Sequence, residues 1–366
     1  MAYNWEQPDW PNFRYDLSGI QDTLLLLAEK TGHASGLLQG LTPDAQIEAT
    51  VVIMVAEALK TSAIEGELLS RKDVKSSIRK NLGLEAGPPS GDKRVQGASA
   101  LMLAVRNTIE TPLSEDLLFT WHRTVMAGHR HVATGQWRTD AEPMQVVSGA
   151  YGHEKVHFEA PPSSRVPGEM ARFIRWFNEI APGGGKAIQK AAVRSAITHL
   201  YFESIHPFED GNGRIGRALS EKALSQGLGR PALLSLSNAI EARRRDYYDA
   251  LKEAQQSNEI TPWVTWFVHM TVEAQTQAET QIDFTLKKAR LFDRHRNELN
   301  ERQLQILTRM LEEGPSGFEG GMSAKKYMSI TGASKATATR DLQEMTTKGI
   351  FEPIGGGRST GYKINL

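Results

Sequence analysis

The chain is 366 residues long, 40% hydrophobic, with 43 basic and 43 acidic side chains and 0 cysteines. That length and apolar content support a sizeable core and two or three domains, and a net charge of +0 excludes a global field pulling the chain toward nucleic acid or membrane. The lack of cysteine excludes disulfides and thiolate metal sites.

The N-terminus has no basic stretch followed by an apolar one, and the most apolar runs, 24–28 and 51–58, are too short to cross a bilayer. The expectation is a soluble cytoplasmic protein without a membrane partner. Residues 1–17 are rich in Trp, Pro and Phe and read as an extended arm docked through Trp5, Trp10, Pro11, Phe13 and Tyr15. Residues 18–82 are helical in pattern, with Ile47, Val51, Val52, Val55, Ala58 and Leu59 at helix spacing. GLEAGPPSGD (83–92) is a turn-rich linker. Helical patterning resumes at Arg94 and runs to about Gln281, broken between Gly135 and Pro162 by turn glycines and short β-prone runs that predict a hairpin. Helices are expected over 166–179, 191–205 and 215–226, with a plain loop at PGGGK (182–186). That loop lacks the spacing of a phosphate-binding loop. The scattered histidines His122, His129, His131, His153 and His157 show no zinc-site spacing.

From about Asn300 the pattern changes to helices over 302–313, 324–328 and 336–348, then two short strands around a Gly-rich turn. That is the order of a winged helix-turn-helix. Residues 299–366 hold nine basic and seven acidic residues, a weak excess. Lys335, Thr337, Thr339 and Arg340, with Arg358 in the turn, nominate DNA as a partner; protein contact or packing is the alternative.

The most informative stretch is His206-Pro-Phe-Glu-Asp-Gly-Asn-Gly-Arg-Ile-Gly-Arg217. Gly211 and Gly213 can take positive φ and, with Asn212, turn successive N–H groups toward one point at a helix start, which makes an anion site. Arg214 and Arg217 lie three apart on the following helix and can grip phosphate oxygens. Asp210 can hold a hard cation such as Mg²⁺. His206 titrates in the range of a general base. Together these suit phosphoryl or nucleotidyl transfer.

The run matches the Fic family signature HPFx[D/E]GNGRxxR without a departure, and the resemblance extends over roughly residues 94–275. It implies a mainly α fold, with a Fic-type helical core and a β-hairpin flap. A helical N-terminal region and a small C-terminal winged-helix domain complete the division into 1–93, 94–285 and 299–366. It also implies AMP transfer from Mg-ATP to a Ser, Thr or Tyr hydroxyl of a protein, possibly itself. His206 would be the base, Asp210 the Mg²⁺ ligand, and the run Gly211, Asn212, Gly213, Arg214, Ile215, Gly216 and Arg217 the ATP-binding loop. The hairpin from Met144 to Phe158 would be a flap that pairs with the target chain, with Ser148 and Gly149 near the nucleotide. Tyr248 and Gln255 match the adenine end, although relatives often carry Asn where Gln255 stands.

Upstream, Thr61-Ser-Ala-Ile-Glu65-Gly66 resembles the family's inhibitory pattern [S/T]xxxE[G/N]. The resemblance implies that Glu65 pairs with Arg217 and keeps the triphosphate misplaced. The alternatives are AMP removal or phosphorylation by the same site, and a DNA-binding regulator whose Fic core only senses nucleotide. The sequence leaves a homodimer open.

Overall fold

The computed structural model describes residues 2–88, 90–129, 131–148, 155–356 and 360–366. The chain is mainly helical. In chain order come α1 (Gln21–Gln39), α2 (Pro43–Ile64), α3 (Arg71–Asn81), α4 (Lys93–Asn107), α5 (Glu115–Val125), β1 (Gln145–Ser148), β2 (Lys155–Glu159), α6 (Val166–Glu179), α7 (Ala191–Ile205), α8 (Asn212–Leu228), α9 (Leu236–Ala242), α10 (Arg244–Ala254) and α11 (Thr261–His295). There follow α12 (Glu301–Leu311), α13 (Ala324–Thr331), α14 (Lys335–Thr347), β3 (Phe351–Ile354) and β4 (Gly361–Ile364). The chain divides into two compact units, residues 1–32 with 50–276, and residues 33–49 with 277–366. Residues 50–93 therefore pack in one unit with the helices that follow the linker.

The first unit is built around α7. Every residue from Ala192 to Ile205 is buried, so the helix is enclosed on all sides and takes Arg194, Ser195, Thr198, His199, Glu203 and Ser204 into the interior. Phe173 and Phe177 of α6, Tyr201 and Phe202 of α7, and Phe208 beyond it interlock in one aromatic cluster. Each such ring stabilises the fold by roughly 1.5–3 kcal/mol through burial. Among the polar residues of α7, the Arg194 guanidinium donates to the carbonyls of Ala223 (2.9 Å) and Phe177 (3.1 Å).

The N-terminal arm docks as its aromatic content predicts. Trp5 Nε1 donates to the Glu159 carbonyl (2.8 Å), Trp10 Nε1 donates to Glu169 Oε2 (3.0 Å), and the Tyr3 ring meets Phe158 edge-on at 5.0 Å. Asn4 N–H donates to the Gln255 carbonyl at 2.7 Å. The hairpin expected near Met144–Phe158 is present as antiparallel β1 and β2, with Val146 opposite Phe158 and a register shift after Val146. Gly149 and the turn lie outside the described residues, as do His153 and Arg358.

The second unit has its own core of Ile306, Leu307, Met310, Tyr327, Leu342, Met345, Ile350 and Phe351. Asn300 and Gln303 cap α12 reciprocally, a device that satisfies two N–H groups at the helix start. β3 and β4 pair antiparallel, Phe351 opposite Ile364. The order helix, helix, helix, hairpin is the one read from the sequence.

Candidate active site

The apolar run of α7 ends at Ile205, and the chain turns sharply at His206. That residue has φ 50° and ψ 60°, a left-handed conformation uncommon outside glycine. Arg138 holds the turn in place. Its Nε donates to the His206 carbonyl (2.8 Å), its Nη2 donates to the Pro161 carbonyl, and its main-chain N–H donates to the Pro207 carbonyl (2.9 Å). Burial lowers the Arg138 pKa to about 10, which leaves it charged at neutral pH.

The loop is pinned again four residues on. Asn212 Nδ2 donates to the Phe208 carbonyl (2.8 Å), while its Oδ1 accepts from the Phe208 N–H (2.9 Å). Phe208 stacks on His122 with ring centroids 3.9 Å apart. The Gly135 N–H donates to His122 Nδ1 at 2.9 Å. The ring proton therefore resides on Nε2, which donates to the Asp210 carbonyl at 2.9 Å. Burial lowers the His122 pKa and so favours this neutral tautomer.

Helix α8 starts at Asn212, three residues before the position that apolar periodicity marks, because Gly211 takes φ 82° and acts as its N-cap. No side chain caps it. Its first N–H groups therefore point out of the helix as an anion site. Glu65, just beyond the end of α2, places its carboxylate there. A Cβ on Gly213 would collide with Glu65 Oε1, so the missing side chain is what lets the carboxylate approach. Arg217 Nη2 donates to Glu65 Oε1 at 2.6 Å and to the Thr61 carbonyl at 3.0 Å, and Arg217 Nε donates to Thr61 Oγ1 at 2.8 Å. Burial opposes the Arg217 charge, yet Glu65 and Tyr247 together carry its pKa above the usual arginine range. Gly66, at φ 84°, turns the chain away beyond Glu65.

These groups border a cavity of about 640 Å³ lined by Glu65, His206, Asp210, Gly211, Asn212, Gly213, Arg217, Tyr248 and Gln255, with Gln145, Val146 and Phe158 of the hairpin. His206 Nδ1 is shut off from solvent, while the side chain as a whole keeps 17% exposure. The exposed part is therefore the Nε2 side of the ring. Burial, and then the Arg138 charge, lower the His206 pKa to about 4, so the imidazole is neutral near pH 7. The Asp210 carboxylate is 53% exposed, accepts from the Gly211 N–H, and lies 3.8 Å from Arg214 Nη2. A single half-exposed carboxylate beside an anion site fits a cation carried in with phosphates, because Mg²⁺ commonly takes only one or two protein ligands. Among the described residues no cluster of three or more His, Cys, Asp or Glu could hold a metal ion by itself.

Arg214, Ile215 and Gly216 are not among the lining residues. Arg214 reaches Glu67 Oε1 (3.0 Å) and Met126 Sδ (3.3 Å). Ile215 is fully buried in the core. Tyr248 is 39% exposed, beside the fully buried Tyr247, and Gln255 Nε2 donates to the Glu203 carbonyl at 3.2 Å. Ser148 ends β1. Sequence reasoning missed Glu67, Arg138, the loop-supporting role of His122, and Glu203.

Comparison with known proteins agrees with this geometry. A family model described as Fic/DOC family matches residues 112–224. A domain of unknown function matches 3–84, and the C-terminal domain of DIP2311-like transcriptional regulators matches 319–365. A probable protein adenylyltransferase of Aquifex aeolicus is 32% identical over 150 residues, which are 41% of this chain and 39% of that protein. A protein adenylyltransferase Fic of Nematostella vectensis is 23% identical over 215 residues, covering 58% of this chain and 45% of that one. The chain thus spans less than half the length of these curated relatives. Among solved structures, a Fic family protein from Desulfovibrio desulfuricans aligns with TM-score 0.53 at 23% identity, over 94% of this chain and 97% of that one. A Fic domain-containing signaling protein from Bacteroides thetaiotaomicron aligns with TM-score 0.55 at 19% identity, over 71% and 97%. The fold is therefore the one these structures share, and residues 112–224 are similar to the Fic/DOC family.

Proposed function

We propose that the protein transfers AMP from Mg-ATP to a Ser, Thr or Tyr hydroxyl of a protein, and that Glu65 restrains the transfer. The observation that carries this reading is the convergence on one cavity of a neutral His206, the uncapped start of α8, and Arg217 held at 2.6 Å by Glu65. The hydroxyl oxygen forms a bond to the α-phosphorus as the bond to the bridging α–β oxygen breaks, and pyrophosphate leaves. The hydroxyl proton passes to His206 Nε2. The α8 N–H groups and Arg217 bind the phosphates and neutralise charge in the transition state. Asp210 would hold the substrate's Mg²⁺, which neutralises phosphate charge. Main-chain pairing with β1 would register an extended target segment.

Glu65 competes for this arrangement twice. Its carboxylate lies at the anion site of α8, and it ties up Arg217. Misplacement of about 1 Å can cost on the order of 100-fold in rate. Incubation with α-labelled and γ-labelled ATP and Mg²⁺ tests the reading. Glu65→Gly should raise transfer of the α label, and His206→Ala should abolish it while nucleotide still binds. Transfer of the γ label, or labelling indifferent to both substitutions, would refute it. The absence of cysteine accords with a reducing cytoplasm.

A second reading concerns residues 299–366. The match to a transcriptional-regulator domain and the exposed Lys335 and Arg340 on α14 support a winged helix that binds DNA. A salt-dependent shift of DNA, lost in Lys335→Ala with Arg340→Ala, tests it.

A further inference from the structure

Glu203 stands three residues before His206, on the last turn of α7, and has no part in the reading above. Its side chain is buried, and its Oε2 lies 3.6 Å from His206 Nδ1. Glu203 Oε1 and His206 Nδ1 are both closed to solvent and lack a hydrogen-bond partner. An unsatisfied buried polar group destabilises a protein, the more so when charged. Helix α8 nevertheless makes room for this one: a Cβ on Gly216 would collide with Glu203 Oε1. The Glu203 carboxyl thus turns Oε2 toward the unpartnered His206 Nδ1 and Oε1 into the space that Gly216 leaves, a buried pair beside the cavity held ready to bond.

We propose that Glu203 is a positioning residue for His206, its carboxylate taking the Nδ1–H of the imidazole so that the Nε2 lone pair faces the cavity. This rests on the reading of His206 as the base. A neutral imidazole carries one N–H, and the partner of one nitrogen fixes the state of the other. With Nδ1–H directed at Glu203, Nε2 is free to take the hydroxyl proton. The imidazolium that results is balanced by the adjacent carboxylate, as in other base–carboxylate pairs. The 3.6 Å separation is longer than a hydrogen bond; contacts of this kind tighten when substrate binds.

The surrounding charges decide when the pair is competent. Burial raises the Glu203 pKa to about 8; Arg217 of α8 acts to lower it and Glu65 to raise it. On its own helix, His199 lies next to the same gap beside Gly216, and its Nε2 is bonded to the Tyr247 hydroxyl of α10 at 2.8 Å. Arg138 and Asp210 act on His206 from the loops. With Glu65 in place its charge adds to burial in favouring the protonated carboxyl, which accepts Nδ1–H only through its carbonyl oxygen and more weakly than a carboxylate would. When Glu65 leaves, Arg217 favours the ionised form. Release of Glu65 thus frees the phosphate site and sets the tautomer of the base together.

The test compares Glu203→Gln and Glu203→Leu in the full chain carrying Glu65→Gly. Nitrogen-15 NMR of the His206 ring, assigned by its loss in His206→Ala, is followed from about pH 6 to 9, the span around the free imidazole and Glu203 transitions. AMP transfer is measured alongside. The parent should gain the Nδ1–H tautomer as pH rises. Glu203→Leu should lose that preference, with kcat down roughly 100-fold and KM for ATP unchanged. Glu203→Gln, whose amide oxygen still accepts, should keep the tautomer and flatten the pH profile. A ring tautomer unaltered in Glu203→Leu, or a pH profile unaltered in Glu203→Gln, overturns the proposal. If no variant transfers AMP, the reading of the reaction fails, while the ring spectra still decide the placement of Glu203.

Discussion

Arg214 and Glu67 are joined at 3.0 Å, and the same Glu67 oxygen faces His129 Nε2 at 2.7 Å. Glu67 follows Glu65 by two residues, so one short segment beyond α2 engages both arginines of the loop. The two contacts differ in kind. Arg214 is almost wholly buried and lies outside the cavity lining, so its pair with Glu67 supports the fold.

Glu67→Ala leaves a buried guanidinium without its carboxylate. Breaking such a pair costs about 3 kcal/mol, roughly 6–12 °C in the midpoint of a unit this size. Thermal unfolding of the variant checks the value; a shift within scan error would show that water replaces the carboxylate.

Thr61 contributes two of the contacts that hold Arg217, through its hydroxyl and its carbonyl. Thr61→Val keeps the shape and removes the hydroxyl bond, worth about 1.5–3 kcal/mol to a charged donor. Self-labelling by α-labelled ATP should rise about tenfold over wild type, yet stay below that of Glu65→Gly. A Thr61→Val rate equal to wild type would mean that the carboxylate alone restrains the arginine.

His122 supports the Asp210 segment by stacking and by two hydrogen bonds. His122→Phe preserves the stack and deletes the bonds. KM for Mg-ATP should increase by about tenfold, the effect of one lost hydrogen bond to a loop group. A steady-state titration of ATP reads this directly, and unchanged KM would place the support of Asp210 elsewhere.

Burial lowers the His199 and His206 pKa to about 3 and about 4 from the ordinary imidazole value of 6.5. The folded state then binds fewer protons than the unfolded one, so stability falls as pH drops from about 6.5 toward 4. Glu203 is raised from 4.5 to about 8, so it acts in the opposite sense, with stability lost as pH rises from 4.5 through 8. Glu203→Gln should therefore raise the urea midpoint at pH 8 and lose that advantage below pH 4.5. A gain equal at both pH values would deny the shifted carboxyl.

Much of this site is legible in the sequence because its chemistry is local. Twelve consecutive residues supply the imidazole, the acid, the anion site and Arg217, but only Gly211 takes the positive φ expected of both glycines; Gly213 lies within α8, whose first N–H groups make the site. The supporting residues are not legible, because each acts across the chain. Arg138 meets His206 only after β1, β2 and α6 have folded between them, and Glu67 meets Arg214 only when α2 docks. Glu203 is the exception: its i, i+3 spacing from His206 on an apolar helix was a readable signal. Ile215 and Gly216 show the converse. They belong to the signature, but helix periodicity turns the first into the core and makes the second a space-keeper for Glu203. The expected start of α8 was late because apolar spacing does not register a helical turn composed of Asn, Gly and Arg.

The aromatic arm also bears on the shape of the candidate site. Tyr3 leans on Phe158 and the Asn4 N–H bonds the Gln255 carbonyl, and both of those partners line the cavity beside His206. Tyr3 and Asn4 therefore help to set the width of an opening whose other walls, Glu65 apart, are encoded more than a hundred positions downstream.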